Sequence, residues 1–270
     1  MYDSHVHSGF SPDSKATMGN IAKNALNKSL ISLCFTDHYD LDYDGRGIGN
    51  DLVFSIEDHQ RAIDELNKEF EPDLTLLKGI ELGLQPHLSE KYKLLLASHE
   101  FDYVIGSLHT ADREDLYLGN FFDSRSQEEA YKDYFLDYLS AIENFDQFHV
   151  LGHLDVIKRY GPYEEILPLH HYRKEAEDVL RALIEMGKGL EVNTSGIGYG
   201  LGDFHPSRDL LTLYYELGGE IVTLGSDSHT EDGTGAYFKE ALITLKDIGF
   251  THFMHFEKGK AIAHSIGDFL

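Results

Sequence analysis

The chain of 270 residues is predicted to fold as a single α/β domain, a distorted (β/α)7 barrel of the TIM type. Three observations predict it. Seven short β-type apolar runs recur along the chain, amphipathic helical stretches lie between them, and six of the seven runs finish in His, Asp or Glu. In a parallel barrel all those strand ends open on one face, so residues far apart in sequence converge on one pocket.

The first run, 1–7, ends in His5 and His7, and the second, 31–38, in Asp37 and His38. Glu81 ends the third (74–82), His109 the fourth (103–109), and His153 falls in the fifth (149–155). The sixth, 189–194, ends in Asn193-Thr194-Ser195 instead, and the seventh, 220–226, is followed by Asp227 and His229. Helices are predicted over 56–70, 127–145, 172–186 and 206–217, where apolar residues recur at helical spacing. Ser126 before Gln127-Glu128-Glu129 reads as an N-cap with acids in the first turn, and Gly187 as a helix stop. The longest irregular stretches, 39–52, 110–124 and 195–205, each follow a strand, where barrel loops build an active-site face. Neither a composition break nor a low-complexity tract divides 1–270 into two domains.

Composition narrows the function. Neither a signal peptide nor an apolar stretch long enough for a membrane span is present, so a cytoplasmic protein is expected. A formal charge of −24 argues against nucleic acid or an anionic membrane as partner. It also disfavours an anionic substrate unless bound cations invert the local field, and 16 histidines point that way. The lone Cys34 reads as a core residue.

The pairs His5/His7 and Asp227/His229 are spaced i, i+2, which in extended backbone puts both side chains on one side. If the sheet closes, the first and last strands become neighbours and these four meet. A single histidine at a strand end is more often structural than a ligand. The joint pattern carries the reading, because so many buried ionisable groups without metals would leave unpaired charges costing several kcal/mol each. A multinuclear metal site follows. The other ten histidines, at 59, 87, 99, 149, 170, 171, 205, 252, 255 and 264, are taken as structural.

The strand-end motifs Asp3-Ser4-His5-Val6-His7, Thr36-Asp37-His38, Gly79-Ile80-Glu81, Gly106-Ser107-Leu108-His109, Gly152-His153-Leu154-Asp155 and Gly225-Ser226-Asp227-Ser228-His229 span the chain. With them the chain resembles the polymerase-and-histidinol-phosphatase (PHP) family and, within it, the histidinol-phosphate phosphatases. The resemblance implies a distorted seven-stranded barrel with three divalent transition-metal ions, iron, manganese or zinc. By motif, His5, His7, Glu81 and Asp227 would hold one metal, Glu81 would bridge to a second held by His109 and His153, and Asp13, His38 and His229 would take the third. Asp13 stands where some members carry His, which hardens that site.

The expected reaction is hydrolysis of L-histidinol phosphate, a step of histidine biosynthesis, by a metal-bridging hydroxide, with the metals clamping the phosphoryl oxygens. Asp227 or His229 is the candidate for assisting the leaving group. Arg159 is the first candidate to meet the phosphate, Arg208 the second, and His205 compensates for a basic residue that Ile197-Gly198-Tyr199 lacks. Asp42, Asp44, Asp112 or Glu114 would receive the substrate's cation. The alternatives are a family phosphoesterase acting on a nucleotide or other small phosphorylated metabolite, a metal-dependent amide or lactone hydrolase, and a non-catalytic metal-binding module. A lactonase of this kind is expected to show a bridging lysine where Glu81 stands.

Overall fold

The structure is a computed structural model and describes residues 1–43 and 51–270. Seven parallel strands follow one another in sequence order around the sheet: β1 (Tyr2–Val6), β2 (Ser32–Phe35), β3 (Thr75–Gly83), β4 (Tyr103–Ser107), β5 (Val150–Leu151), β6 (Gly189–Asn193) and β7 (Val222–Gly225). The sheet continues into an antiparallel pair that the sequence reading did not anticipate, β8 (His252–Glu257) and β9 (Lys260–Ser265).

Among the described residues, seven helices of nine residues or more lie between or after the strands: α1 (Met18–Asn27), α2 (Ile56–Phe70), α3 (Ser89–Ser98), α4 (Gln127–Asn144), α5 (Arg173–Glu185), α6 (Arg208–Glu216) and α7 (Phe238–Ile248). Local chemistry explains their ends. The Ser126 hydroxyl accepts from the Glu129 N–H and the Glu129 carboxylate accepts from the Ser126 N–H, a reciprocal cap that satisfies two otherwise orphaned donors. Gly187, after α5, takes a φ of 67°, a conformation that costs glycine nothing. The amphipathic helices lay an apolar stripe on the sheet; in α2 it is Ile56, Ile63 and Phe70, with His59 buried beside them.

The barrel is distorted at its seam. β1 and β7 do not form a continuous ladder; they meet at their C-terminal ends through the parallel bridge Val6–Ser228, where the His7 N–H donates to the Ser228 carbonyl (2.9 Å) and the Asp227 N–H to the His5 carbonyl (2.8 Å). At the opposite end β8 lies beside β7, and Tyr2 of β1 stacks on His255 and His264 at 4.4 and 4.0 Å between ring centres. The hairpin packs against the start of β1 through these rings, while Asp3 of β1 accepts from the Ser226 N–H (3.0 Å) and hydroxyl (2.6 Å) just after β7. Inside the barrel, Cys34, Leu77, Tyr103, Ile105, Val150 and Phe256 form a compact apolar plug, which confirms Cys34 as a core residue. Among the described residues, no helix is long and apolar enough to cross a membrane.

Candidate metal centre

The C-terminal strand ends gather around one carboxylate. Glu81 is fully buried near the end of β3, and its two oxygens face different groups of imidazoles. Oε2 has no hydrogen-bond partner, yet it lies 2.8 Å from Nδ1 of His38, 3.4 Å from Nε2 of His5 and 3.5 Å from Nε2 of His7. Oε1 accepts from the Ser107 hydroxyl (2.7 Å) and lies 2.9 Å from His153 Nε2 and 3.4 Å from His109 Nε2. The bridge His38–Glu81 between a two-residue strand, His38–Tyr39, and β3 sets one of these pairs by backbone register.

Asp227 and Asp13 complete the ring. Asp227 Oδ1 is 3.2 Å from His7 Nε2 and 3.5 Å from His5 Nε2; Asp13 Oδ2 is 3.1 Å from His229 Nε2 and 3.6 Å from His38 Nε2. All nine residues expected to hold metal therefore converge. Within them His7/His38/His229, His5/His7/Glu81 and His38/Glu81/His109 each bring their ligand atoms within 4.8 Å of one another. Nitrogen and carboxylate donors in this density, with a buried carboxylate oxygen left unbonded among three imidazoles, fit divalent transition metals.

The electrostatics agree. Burial disfavours charge on His5, but Glu191, Glu81 and Asp227 outweigh it and raise its pKa well above the ordinary value. Burial likewise opposes charge on His109, and Asp40 and Glu81 raise it to about 10. Burial would raise the Glu81 pKa, yet His5, His38 and His109 hold it well below the usual carboxylate range. His7 is the exception, pushed down to about 3 by burial and by its neighbours His229 and His38. The carboxylates draw positive charge into the cluster, which is the demand a bound cation meets.

Several buried groups that sequence reasoning missed orient the histidines. Glu191 accepts from His5 Nδ1 at 2.6 Å and from the His153 N–H at 2.9 Å; Asp40 faces His109 Nδ1 at 2.7 Å; Ser11 meets His7 Nδ1 at 3.0 Å. Asp37, by contrast, accepts from the Ser8 and Ser11 hydroxyls and faces His59 at 3.0 Å, so it braces the loop after β1 from beneath. His153 and Asp227 hold positive φ angles of 24° and 52°, a backbone conformation that costs a non-glycine residue.

A cavity of about 390 Å³ opens above the centre, with Asp13, His38, His109, His153, Asp227 and His229 in its lining and Tyr43, Tyr117, Tyr160 and Tyr199 in its walls. Arg159 also lines it, its guanidinium 3.3 Å from the centre of the Tyr199 ring. Two other expected substrate contacts are not brought there. Arg208 is exposed on α6 and outside the lining, because its helix begins beyond the loop that turns away from the strand end. His205 is fully buried against Asp155 (3.0 Å), held inside by its backbone bridge to Asn193. Of the four acids expected to receive a cation, Asp42 faces His87 at 2.9 Å, Asp112 and Glu114 bind Arg125 at 2.6 and 3.0 Å, and Asp44 lies outside the described residues.

The PHP domain family model matches residues 3–195. A histidinol-phosphatase of Lactococcus lactis subsp. lactis is 31% identical over 250 residues, 92% of this chain and 91% of that protein. A Clostridium acetobutylicum protein named "Probable histidinol-phosphatase" is 32% identical over 246 residues, 90% of this chain and 91% of its own. Among solved structures, histidinol phosphate phosphatase from Lactococcus lactis subsp. lactis Il1403, complexed with zinc, L-histidinol and phosphate, superimposes with a TM-score of 0.89 at 30% identity, covering 97% of this chain and 98% of that one.

Proposed function

The chain belongs to the PHP domain family, and on that footing we propose that it is a phosphatase hydrolysing L-histidinol phosphate to L-histidinol and phosphate with three divalent transition-metal ions. The observation that carries the reading is the buried Glu81 carboxylate, its two oxygens divided between two sets of imidazoles. The nine-tenths coverage of named histidinol-phosphatases supports the substrate. In this reading His5, His7, Glu81 and Asp227 hold one ion, Glu81, His109 and His153 a second, and Asp13, His38 and His229 the third. The ions are iron, manganese or zinc; the nitrogen and carboxylate donors suit all three. When bound they supply water of lowered pKa and positive charge against the phosphoryl oxygens.

The chain's own groups do the rest. Glu191, Asp40 and Ser11 hold His5, His109 and His7 through Nδ1 and leave each Nε2 facing the centre. Arg159, fixed in orientation by the Tyr199 ring, presents donors to the phosphate in a planar fork. As the P–O bond to the leaving group breaks, its oxygen needs a proton or a cation, and this reading gives Asp227 or His229 the task of assisting it. His229 lines the cavity with 21% of its side chain exposed; burial opposes its charge, but Asp13 and Asp227 raise its pKa.

The test is phosphate release from L-histidinol phosphate beside a nucleoside monophosphate panel, compared by kcat/KM on metal-loaded protein. A preference for histidinol phosphate is expected, with Arg159→Met lowering kcat/KM by about 10- to 100-fold, the worth of a charge-assisted hydrogen bond. A nucleotide preference moves the substrate to another phosphomonoester. Lactone hydrolysis without phosphate release overturns the phosphatase.

A further inference from the structure

A carboxylate has two acceptor oxygens, and at Asp40 only one of them is used. Asp40 is 2% exposed and lines the cavity together with His38 and His109. Its backbone is fixed by two hydrogen bonds with Leu52, N–H to carbonyl in both directions at 2.8 Å. Its side chain lies over Gly83 at the end of β3, where any Cβ would collide with the carboxylate. Oδ1 accepts from His109 Nδ1 at 2.7 Å. Oδ2 is buried without a hydrogen-bond partner and lies 3.6 Å from His38 Nδ1, a nitrogen that is itself buried and unpartnered.

The histidines of the centre show what their Nδ1 atoms are for. Those of His5, His7, His109 and His229 meet Glu191, Ser11, Asp40 and the Asp227 carbonyl at 2.6, 3.0, 2.7 and 3.0 Å. His38 and His153 are left without such a partner. For His38 a partner is at hand. Its Nε2 faces Asp13 (3.6 Å), on the side where Asp13 and His229 would hold the third ion, so its Nδ1 carries the proton and needs an acceptor. Two oxygens face that nitrogen, Glu81 Oε2 at 2.8 Å and Asp40 Oδ2 at 3.6 Å. Glu81 is the bridging ligand of the proposed centre, and an oxygen committed to cations is a poor acceptor. Asp40 Oδ2 remains, and a closure of about 0.7 Å brings it to hydrogen-bond length.

We infer that Asp40 is a shared positioning residue, one carboxylate that holds His109 through Oδ1 and His38 through Oδ2 and so couples the second and third ions. This rests on the metal reading of the site and not on the choice of substrate. Asp40 is then the counterpart of Glu191, whose two oxygens accept from His5 Nδ1 and from the His153 N–H. A neutral amide cannot replace it, because with a single acceptor oxygen it must turn its NH2 toward one of the two imidazole N–H groups.

The experiment follows imidazole N–H protons by nuclear magnetic resonance in zinc-loaded wild type and Asp40→Asn, with His38→Gln and His109→Gln to assign the two signals. Chelator competition measures the bound zinc, and melting is compared with and without metal. Both assigned protons should shift or vanish in Asp40→Asn, and zinc affinity at one site or more should fall about 10- to 100-fold. The amide keeps the shape of the side chain, so the metal-free variant should melt where wild type does while its zinc-induced rise in Tm shrinks. A change confined to the His109 proton, an unaltered zinc affinity, or an equal fall in Tm with and without zinc overturns the shared role. A wild type that binds no zinc overturns it together with the metal centre. A zinc-loaded enzyme that prefers another phosphomonoester withdraws the substrate alone, and the two protons still decide Asp40.

Discussion

Glu191 sits in the middle of β6, flanked by Leu190 and Val192, with one oxygen on His5 Nδ1 and the other accepting from the His153 N–H and the Asn193 side chain. Gly225 next door leaves the room it needs, since a Cβ there would stand 2.0 Å from its Oε1. A carboxylate on the far nitrogen of a ligating histidine fixes its tautomer and raises its basicity. Glu191→Gln keeps the shape and removes the charge, so metal affinity in chelator competition should fall about 10- to 100-fold; unchanged affinity would remove Glu191 from the centre. The strand-end histidines were legible because His-x-His in extended backbone has only one geometry. Glu191 was not, although a charge inside an apolar strand was the available signal. Asp40 was likewise hidden, two residues past His38 at the start of a loop.

At the scale of elements, a buried network ties the turn after β5 to the loop after β6. Asp155 meets Lys158 at 2.9 Å, His205 at 3.0 Å and the Ser207 N–H at 2.9 Å, and Lys158 also donates to the Phe204 carbonyl. The short helix Ile157–Tyr160 that carries Arg159 and the loop that carries Tyr199 are thereby held in register, which accounts for the stacked pair over the cavity. Burial pushes the Asp155 carboxyl up, but Lys158 and His205 outweigh it and hold it at about 2. Its folded pKa is therefore depressed below the ordinary ~3.9, so its contribution of roughly 2–3 kcal/mol is present above about pH 4 and lost as pH falls through about 2. Lys158→Met leaves a buried carboxylate short of its cation and should cost about 3–5 kcal/mol in urea unfolding at pH 7. A loss under 1 kcal/mol would show the pair to be dispensable.

Elements with strong periodicity were read well: α2 matches its predicted span, and the reciprocal cap at Ser126 starts α4 where expected. α3 was missed because only Tyr92 in it is buried, which leaves no apolar stripe to detect. β5 is far shorter than its predicted run because the chain turns at Gly152, packed where a Cβ would meet Ser107 Oγ at 2.3 Å, and His153 then takes its positive φ. The β8–β9 hairpin was overlooked because its alternation is carried partly by histidines, His255 and His264, which stack on Tyr2 in place of aliphatic residues.

For the molecule as a whole, the seam and the metal centre coincide. Hydrogen bonds join β1 to the segment after β7 both at Asp3, which accepts from Ser226 and the Gly235 N–H, and between His5, His7, Asp227 and Ser228, so a cation held by His5, His7 and Asp227 would add a further fastening of the first strand of the barrel to the last. A ligand that binds only the folded state stabilises it by about 2.7 kcal/mol at a hundred times its Kd. Chelation should therefore lower Tm by several degrees in wild type and by much less in Glu81→Gln; equal shifts would separate the metals from the seam. The net charge of −24 becomes intelligible on the same ground, since the cations provide locally what an anionic substrate requires.

The most direct test loads purified wild type, Glu81→Ala and His153→Ala with zinc or manganese, counts bound metal, and follows phosphate release from L-histidinol phosphate. The account predicts two or three ions in wild type, fewer in both variants, and turnover lost with them. A wild type that binds no metal, or variants that keep full turnover with fewer ions, would contradict it.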